Sequence, residues 1–353
     1  RMGILAFWII FVFLLGVSVG SYLNVCVARL PYEKCLLWPG SRCGSCYQAI
    51  PWYDNIPILG YLRLRGRCRS CGQSFSPRYL FIELGTGLLF VLLFFLEMVS
   101  NVLELPTLNQ WDGPQGLIYA PRETLVFFHH AILVSFLLAA SICDLMEMEI
   151  PLAITLWGTF IGLVLACLMP WPFPESAMAS GLNAPYPYPP TRGAYAWPLW
   201  YPLPSWLPAG SWQLGLATGV AGSLAGMILI RLVRFLFTFG YGKEGLGLGD
   251  ADLMMMAGAF LGWQAVVIAF FLAVFPGLFF AMWQLIFRGE NALPFGPSLS
   301  LGVCLTFLGW SWIGPSTQMA FFEPFLVGGI ALVGSVALVI VSFSLSLLRY
   351  LAG

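Results

Sequence analysis

Three observations predict an all-α polytopic membrane protein with a small cysteine-bearing domain between its first two helices. Hydrophobic residues make up 59% of the 353 and charged residues 9%, whereas a soluble domain carries roughly 25% charged. The apolar residues fall in long runs, and about 20 such residues cross a ~30 Å hydrocarbon core at ~1.5 Å each. One polar, basic stretch, Arg29 to Arg78, interrupts the runs early and holds four of the nine cysteines as two close pairs. Formal net charge is zero, so no bulk attraction to nucleic acid is expected.

About 8–9 spans follow in order. Gly3 to Val25 is the first; it is too long and too lightly flanked for a cleaved signal and reads as a signal anchor. Residues 26–79 form the cysteine domain, and 80–353 the polytopic membrane domain. Within the latter, Leu80 to Val99 is the second span and Asn101 to Glu123 a polar, Pro-containing connection. Leu125 to Cys143 is the third span, ending at Asp144, and Leu152 to Met169 the fourth. Residues 170–210 are rich in Pro, Trp and Tyr. Pro lacks the backbone donor a helix needs, so this stretch reads as an external loop whose aromatics rest on the membrane interface. Trp212 to Val233, a short Asp250 to Leu261, Gln264 to Phe287, Pro297 to Ile313 and Phe325 to Leu348 complete the set.

Lys and Arg set orientation, because cytoplasmic loops hold the excess. Arg29 to Arg78 contains eight of the sixteen. With alternating spans, Arg231, Arg234, Lys243, Arg288 and Arg349 share its side, leaving Arg1, Arg122 and Arg192 opposite. The N-terminus is therefore expected outside, with the cysteine domain, Asp144 and Asp250 on the cytoplasmic face.

Cys43, Cys46, Cys68 and Cys71 form C-x2-C-x21-C-x2-C. Two such knuckles supply four thiolates to one structural Zn2+, which makes the domain zinc-ribbon-like. Gly44 and Gly72, each directly after a cysteine, are expected to make the tight turns. Two disulfides or a redox pair are the competing readings, and a reducing cytoplasm disfavours stable disulfides. Arg63, Arg65, Arg67 and Arg69 alternate, as a solvated face that enforces topology or as a contact for anionic headgroups or an anionic cofactor.

Several patterns carry no chemistry. Gly240-x-Gly242-x-x-Gly245 matches a dinucleotide fingerprint but lacks the βαβ setting. The pairs Gly158/Gly162, Gly215/Gly219 and Gly222/Gly226 read as close helix packing. His129-His130 is expected at the outer interface.

A carboxylate at a membrane edge is costly, so it marks function by default. Asp250 lies in the turn Gly247-Leu-Gly249-Asp250, where Gly247 and Gly249 allow backbone to approach closely. Asp144 lies in the turn before Pro151. Helix capping accounts for Asp250 at a helix start. It fails for Asp144, which ends a helix and meets the wrong end of the dipole. Two carboxylates in low dielectric share a proton, so one activates water while the other polarises a carbonyl.

These residues resemble the type IV prepilin leader peptidase/N-methyltransferase family, the membrane aspartic proteases of the Gly-x-Gly-Asp type. The resemblance rests on Gly20-Ser-Tyr-Leu-Asn-Val25 with Arg29-Leu-Pro31, on Pro51-Trp-Tyr-Asp-Asn-Ile-Pro57, and on Leu64-Arg-Gly-Arg-Cys68. It extends to Ser76-Pro-Arg-Tyr79 with Glu83, Asp144 with Ile150-Pro151, and Gly247-Leu-Gly-Asp250. It implies an enzyme of the bacterial inner membrane that cleaves the basic leader from prepilins and pseudopilins at the cytoplasmic face. That enzyme would then N-methylate the new terminus with S-adenosylmethionine. Asp144 and Asp250 would be the catalytic pair, and pilus or type II secretion components the partners. Asp54, Asn55, Arg65 and Glu83, polar and inside matched motifs, are candidates for the methyl donor. Asp252 stands where the family usually has Lys, a charge reversal that bears on pH optimum and substrate preference. Glu147, Glu149, Glu244 and Asp252 crowd the mouth of the site, with Lys243 opposing, and would draw a basic leader. A peptidase without methylation, a proton-coupled transporter and a non-catalytic secretion scaffold are the alternative readings.

Overall fold

The computed structural model describes residues 2–36, 38–105, 108, 121–169, 204–208, 210–242, 245–287 and 294–352. The expected external loop at 170–210, together with Lys243 and Glu244, falls largely outside these residues. Among the described residues the regular elements are all helices, and two isolated antiparallel bridges join Arg42 with Ala49 and Arg67 with Ser74. The chain divides into two units: Arg1–Asn101 with Pro106–Cys143, and Val102–Leu105 with Asp144–Gly353.

In the first unit, α1 (Met2–Arg29) leads through a short turn, Leu30–Tyr32, into the cysteine domain. A second turn, Trp52–Asp54, and α2 (Leu59–Arg63) precede α3 (Arg78–Phe94), whose end widens into a π turn, Phe95–Val99. α4 (Pro121–Glu147) follows, and its end, from Asp144 on, belongs to the second unit. α1 and α3 run antiparallel in tight contact. A Cβ on Gly16 would lie 2.9 Å from Gly87 Cα, and one on Gly20 would lie 2.8 Å from Glu83 Cα. Lipid gives no hydrophobic drive between helices, so small residues that admit close backbone packing hold such pairs together.

His129 and His130 correct the interfacial expectation: they are 2% and 0% exposed. His130 Nδ1 lies 2.7 Å from Glu97 Oε1, and Glu97 is equally buried. An intramembrane carboxylate requires a polar partner. The π turn, a common site of local departure from the α-helix, carries Glu97.

The second unit contains α5 (Leu152–Leu168), α6 (Trp212–Tyr241), α7 (Leu248–Leu261), α8 (Trp263–Phe287), α9 (Gly296–Leu308), α10 (Trp310–Phe322) and α11 (Pro324–Ala352). α7 is its centre, and every residue from Leu253 to Leu261 except Met255 is buried. The glycines of α6 make this possible. Gly222 meets the Gly258 backbone and Gly226 the Met254 backbone so closely that a Cβ at either would strike a carbonyl oxygen. The G-x-x-x-G pairs are packing surfaces.

Among the described residues, six helical segments are long and apolar enough to cross a membrane: Gly3–Tyr32, Arg78–Val99, Thr124–Glu147, Trp212–Tyr241, Trp263–Gln284 and Pro324–Leu351. Leu152–Leu168 and Gly296–Leu308 are apolar but shorter. α7, at 14 residues, spans ~21 Å. The expected span Pro297 to Ile313 is interrupted. α9 stops at Leu308, Gly309 caps it, and α10 starts at Trp310. The Ser311 hydroxyl then donates to the Val102 carbonyl at 3.0 Å, fixing the new direction.

Candidate active site

α4 and α7 bring Asp144 and Asp250 to one cavity of about 380 Å³. Asp144 sits in the last turn of α4, which Met148 ends by taking a left-handed φ of 56° and donating its N–H to the Asp144 carbonyl at 3.0 Å. The chain then runs through Glu149, Ile150 and Pro151 into α5. Pro151 is the cap of α5, one residue outside it. Gly242, with φ 76°, ends α6, and after residues 243–244 the backbone reaches Gly247, the cap of α7.

Both carboxylates are 7% exposed. Each is held through one oxygen by a backbone N–H. Asp250 Oδ2 accepts from Gly247 at 3.0 Å, the local bond of a helix cap. Asp144 Oδ2 accepts from Gly296 at 2.8 Å, across 152 residues of sequence. Gly296 opens α9, so the positive end of that helix offsets the unfavourable end on which Asp144 stands.

Gly249 and Gly296 both face Ile150. A Cβ on Gly249 would lie 3.0 Å from Ile150 Cβ, and one on Gly296 would lie 2.7 Å from Asp144 Oδ2 and 3.2 Å from Ile150 Cδ1. Ile150, 8% exposed, is thus the spacer that sets how near the two turns come. Sequence reading missed Gly296. Its only local signal was a glycine directly before Pro297 at a helix start.

Glu149 and Asp252 also line the cavity, whereas Glu147 does not. Arg231 of α6 acts on Asp252 through its charge, a relationship that the sequence did not indicate.

The four cysteines converge. Their sulfurs lie within 4.8 Å of one another, with Cys43–Cys71 at 3.8 Å and Cys46–Cys68 at 3.9 Å. Those gaps exceed the ~2.05 Å of a disulfide and match the ~3.8 Å between ligands of a tetrahedral ion with ~2.3 Å metal–sulfur bonds. The group could hold a metal ion. The two knuckles repeat each other: Cys43 N–H donates to Gln48 O and Cys68 N–H to Gln73 O. The expected role of Gly44 is corrected. Gly72 has φ 71°, but in the first knuckle the left-handed residue is Tyr47, φ 57°. Backbone N–H groups of Cys46 and Ser45 bring the Cys43 thiol down to about 6. Cys71 goes the other way, to about 11: the Gln73 N–H lowers it, while burial and the neighbouring sulfurs raise it. Holding all four as thiolates would take a cation among them.

A second cavity, about 300 Å³, lies within the first unit. Asp54, Asn55 and Glu83 line it, with Asn24, Tyr61 and Tyr79; Arg65 is not among its lining residues. Arg69 clamps Asp54 through two bonds of 2.6 Å, and these hold the Asp54 carboxyl below the usual range. Glu83 Oε2 accepts the Ile58 N–H at 2.7 Å.

Membrane-length helices, a cavity lined by two buried carboxylates and a four-cysteine cluster define the class, a polytopic membrane protein. Residues 14–96 match the bacterial Peptidase A24 N-terminal domain and residues 199–282 the type IV leader peptidase family. A prepilin leader peptidase/N-methyltransferase of Klebsiella pneumoniae is 33% identical over 265 residues, covering 73% of this chain and 87% of that protein. A protein of the same name from Pectobacterium carotovorum is 29% identical over 321 residues, covering 84% of this chain and 91% of its own. With the Myxococcus xanthus protein of that name identity is 29% over 281 residues; the alignment covers 80% of this chain but 64% of that longer protein. The chain belongs to the type IV leader peptidase family. No solved structure gives a significant match. Asp250 lies inside the second matched stretch, and Asp144 lies between the two.

Proposed function

We infer that this chain is a membrane aspartic endopeptidase that removes the leader from type IV prepilins and pseudopilins and also N-methylates the new terminal residue. The observation that carries the hydrolytic half is the shared cavity of Asp144 and Asp250, each carboxylate oriented by one backbone N–H. With one proton between them, the ionised partner takes a proton from water as the water oxygen attacks the scissile carbonyl carbon. The protonated partner donates to the carbonyl oxygen. Collapse breaks the C–N bond as the proton passes to the leaving nitrogen, and the pair regains its single shared proton. Asp144→Asn and Asp250→Asn should each abolish leader removal from a purified prepilin in detergent. Retained cleavage in either variant would refute the assignment; a scaffold would tolerate both.

The second cavity is the candidate seat of methylation. Its donor set suits S-adenosylmethionine: Glu83 offers a carboxylate toward a sulfonium, Asn24 and Asn55 offer amides, and Tyr61 and Tyr79 offer ring faces. Asp54, already engaged by Arg69, shapes the cavity wall. When bound, that cofactor supplies an electrophilic methyl group. Cys43, Cys46, Cys68 and Cys71 would hold Zn2+, which orders the loop carrying Asp54 and Asn55. Transfer of labelled methyl to cleaved pilin separates the bifunctional enzyme from a peptidase alone. The Lys and Arg distribution supports a bacterial inner-membrane protein with its N-terminus outside and both sites at the cytoplasmic face. There it would meet pilins and pilus or type II secretion components.

A further inference from the structure

The cysteine domain exposes an apolar and cationic surface that neither site uses. Trp52 is 80% exposed, Leu59 62% and Leu62 56%. Trp52 packs edge-on to Tyr53 at 5.8 Å, and the guanidinium groups of Arg63 and Arg69 each stand 5.6 Å from the Tyr53 ring. Leu59, Leu62 and Arg63 lie three and four residues apart on α2, so they share one face. The turn Trp52–Asp54 and α2 pack together: Gly60 sits against the Asp54 carbonyl, with no room for a Cβ.

This surface is pinned at the membrane. Glu83 lies in the second turn of α3, a membrane-length helix. Its carboxylate takes the N–H of Ile58, the residue just before α2. Ile58 has φ 60° and ψ −54°, a conformation that a β-branched residue adopts only when its surroundings impose it. The imposed turn aims α2 from a fixed point on α3. Charge points the same way. From Arg29 to Arg78 the chain has eight Lys and Arg against Glu33 and Asp54; the Asp54–Arg69 pair cancels, which leaves seven against one. A hydrated surface has no use for an exposed Trp beside two exposed Leu. A headgroup layer accommodates all three, since indole and aliphatic groups enter it while guanidinium groups meet phosphates.

We propose that Trp52, Leu59 and Leu62, flanked by Arg63, form an interfacial anchor that seats the cysteine domain on an anionic phospholipid surface. Seating would fix the height of the domain above the bilayer without engaging either cavity. The test is backbone amide exchange on the full chain reconstituted in phosphatidylcholine vesicles with and without phosphatidylglycerol. The expected result is several-fold slower exchange over residues 52–63 in the anionic vesicles. The Trp52→Ser, Leu62→Ser, Arg63→Glu variant should lose that protection while retaining its bound metal. Equal exchange in the two vesicles, which needs no variant to read, would overturn the proposal. So would protection that appears only when a prepilin is added, because the surface would then be a protein dock.

Discussion

The Gly296 N–H donates to Asp144 Oδ2 at 2.8 Å, joining the start of α9 to the end of α4 across 152 residues. A helix N-terminus thereby serves a carboxylate that its own helix disfavours. A methyl group at Gly296 would lie 2.7 Å from that oxygen, so Asp144 must shift. Gly296→Ala should cut leader cleavage about a hundredfold, the scale of a small misplacement in a catalytic pair. Rates on a purified prepilin check this; an unchanged rate would show that the Gly296 N–H does not position Asp144.

The knuckles separate two glycines that look alike in sequence. Gly72 has φ 71°, whereas Gly44 has an ordinary φ and open space, with nothing within 4 Å of where a methyl group would stand. Gly72→Val should destabilise the domain by about 1–2 kcal/mol and lower its metal content, while Gly44→Ala should leave both unchanged. Metal analysis and thermal melts of the two variants distinguish them.

Asp54 carries a pH signature. Arg69 bonding holds its folded pKa below the unfolded value. Its stabilisation is therefore complete above the unfolded pKa of about 3.9. It disappears as pH falls through the lower folded value. Asp54→Asn should lower the melting midpoint at about pH 7 and make far less difference at about pH 2. A deficit of the same size at both would show that the pair does not titrate as described.

Charge at the catalytic mouth should select substrates. Glu149 and Asp252 line the cavity with the dyad. Glu149→Lys with Asp252→Lys should slow cleavage of a lysine-rich leader about tenfold at low salt. Cleavage of a neutralised leader should change much less, and the gap should shrink as salt rises. Equal rates on the two leaders would remove charge from the account of specificity.

Much of the fold was legible because membrane helices announce themselves by length and apolarity. The four cysteines and the Gly247–Asp250 turn were legible because their spacing is local. Span boundaries failed where length and packing disagreed. Pro297 to Ile313 reads as one span, but Gly309 and the Ser311–Val102 bond divide it. His129 and His130 read as interfacial because the partner of His130, Glu97, lies 33 residues away in a π turn.

By itself the sequence determined which segments are helical, which thiols gather, and that Asp144 and Asp250 end or begin helices. Periodicity, residue type and short spacing suffice for each of these. Only the tertiary structure decided how the carboxylates are held. It made Ile150 the spacer between the two turns, gave Asp144 the N–H of Gly296 and closed Arg69 on Asp54. These contacts join residues far apart in the chain. Their strength depends on burial and direction, and neither leaves a local pattern to read.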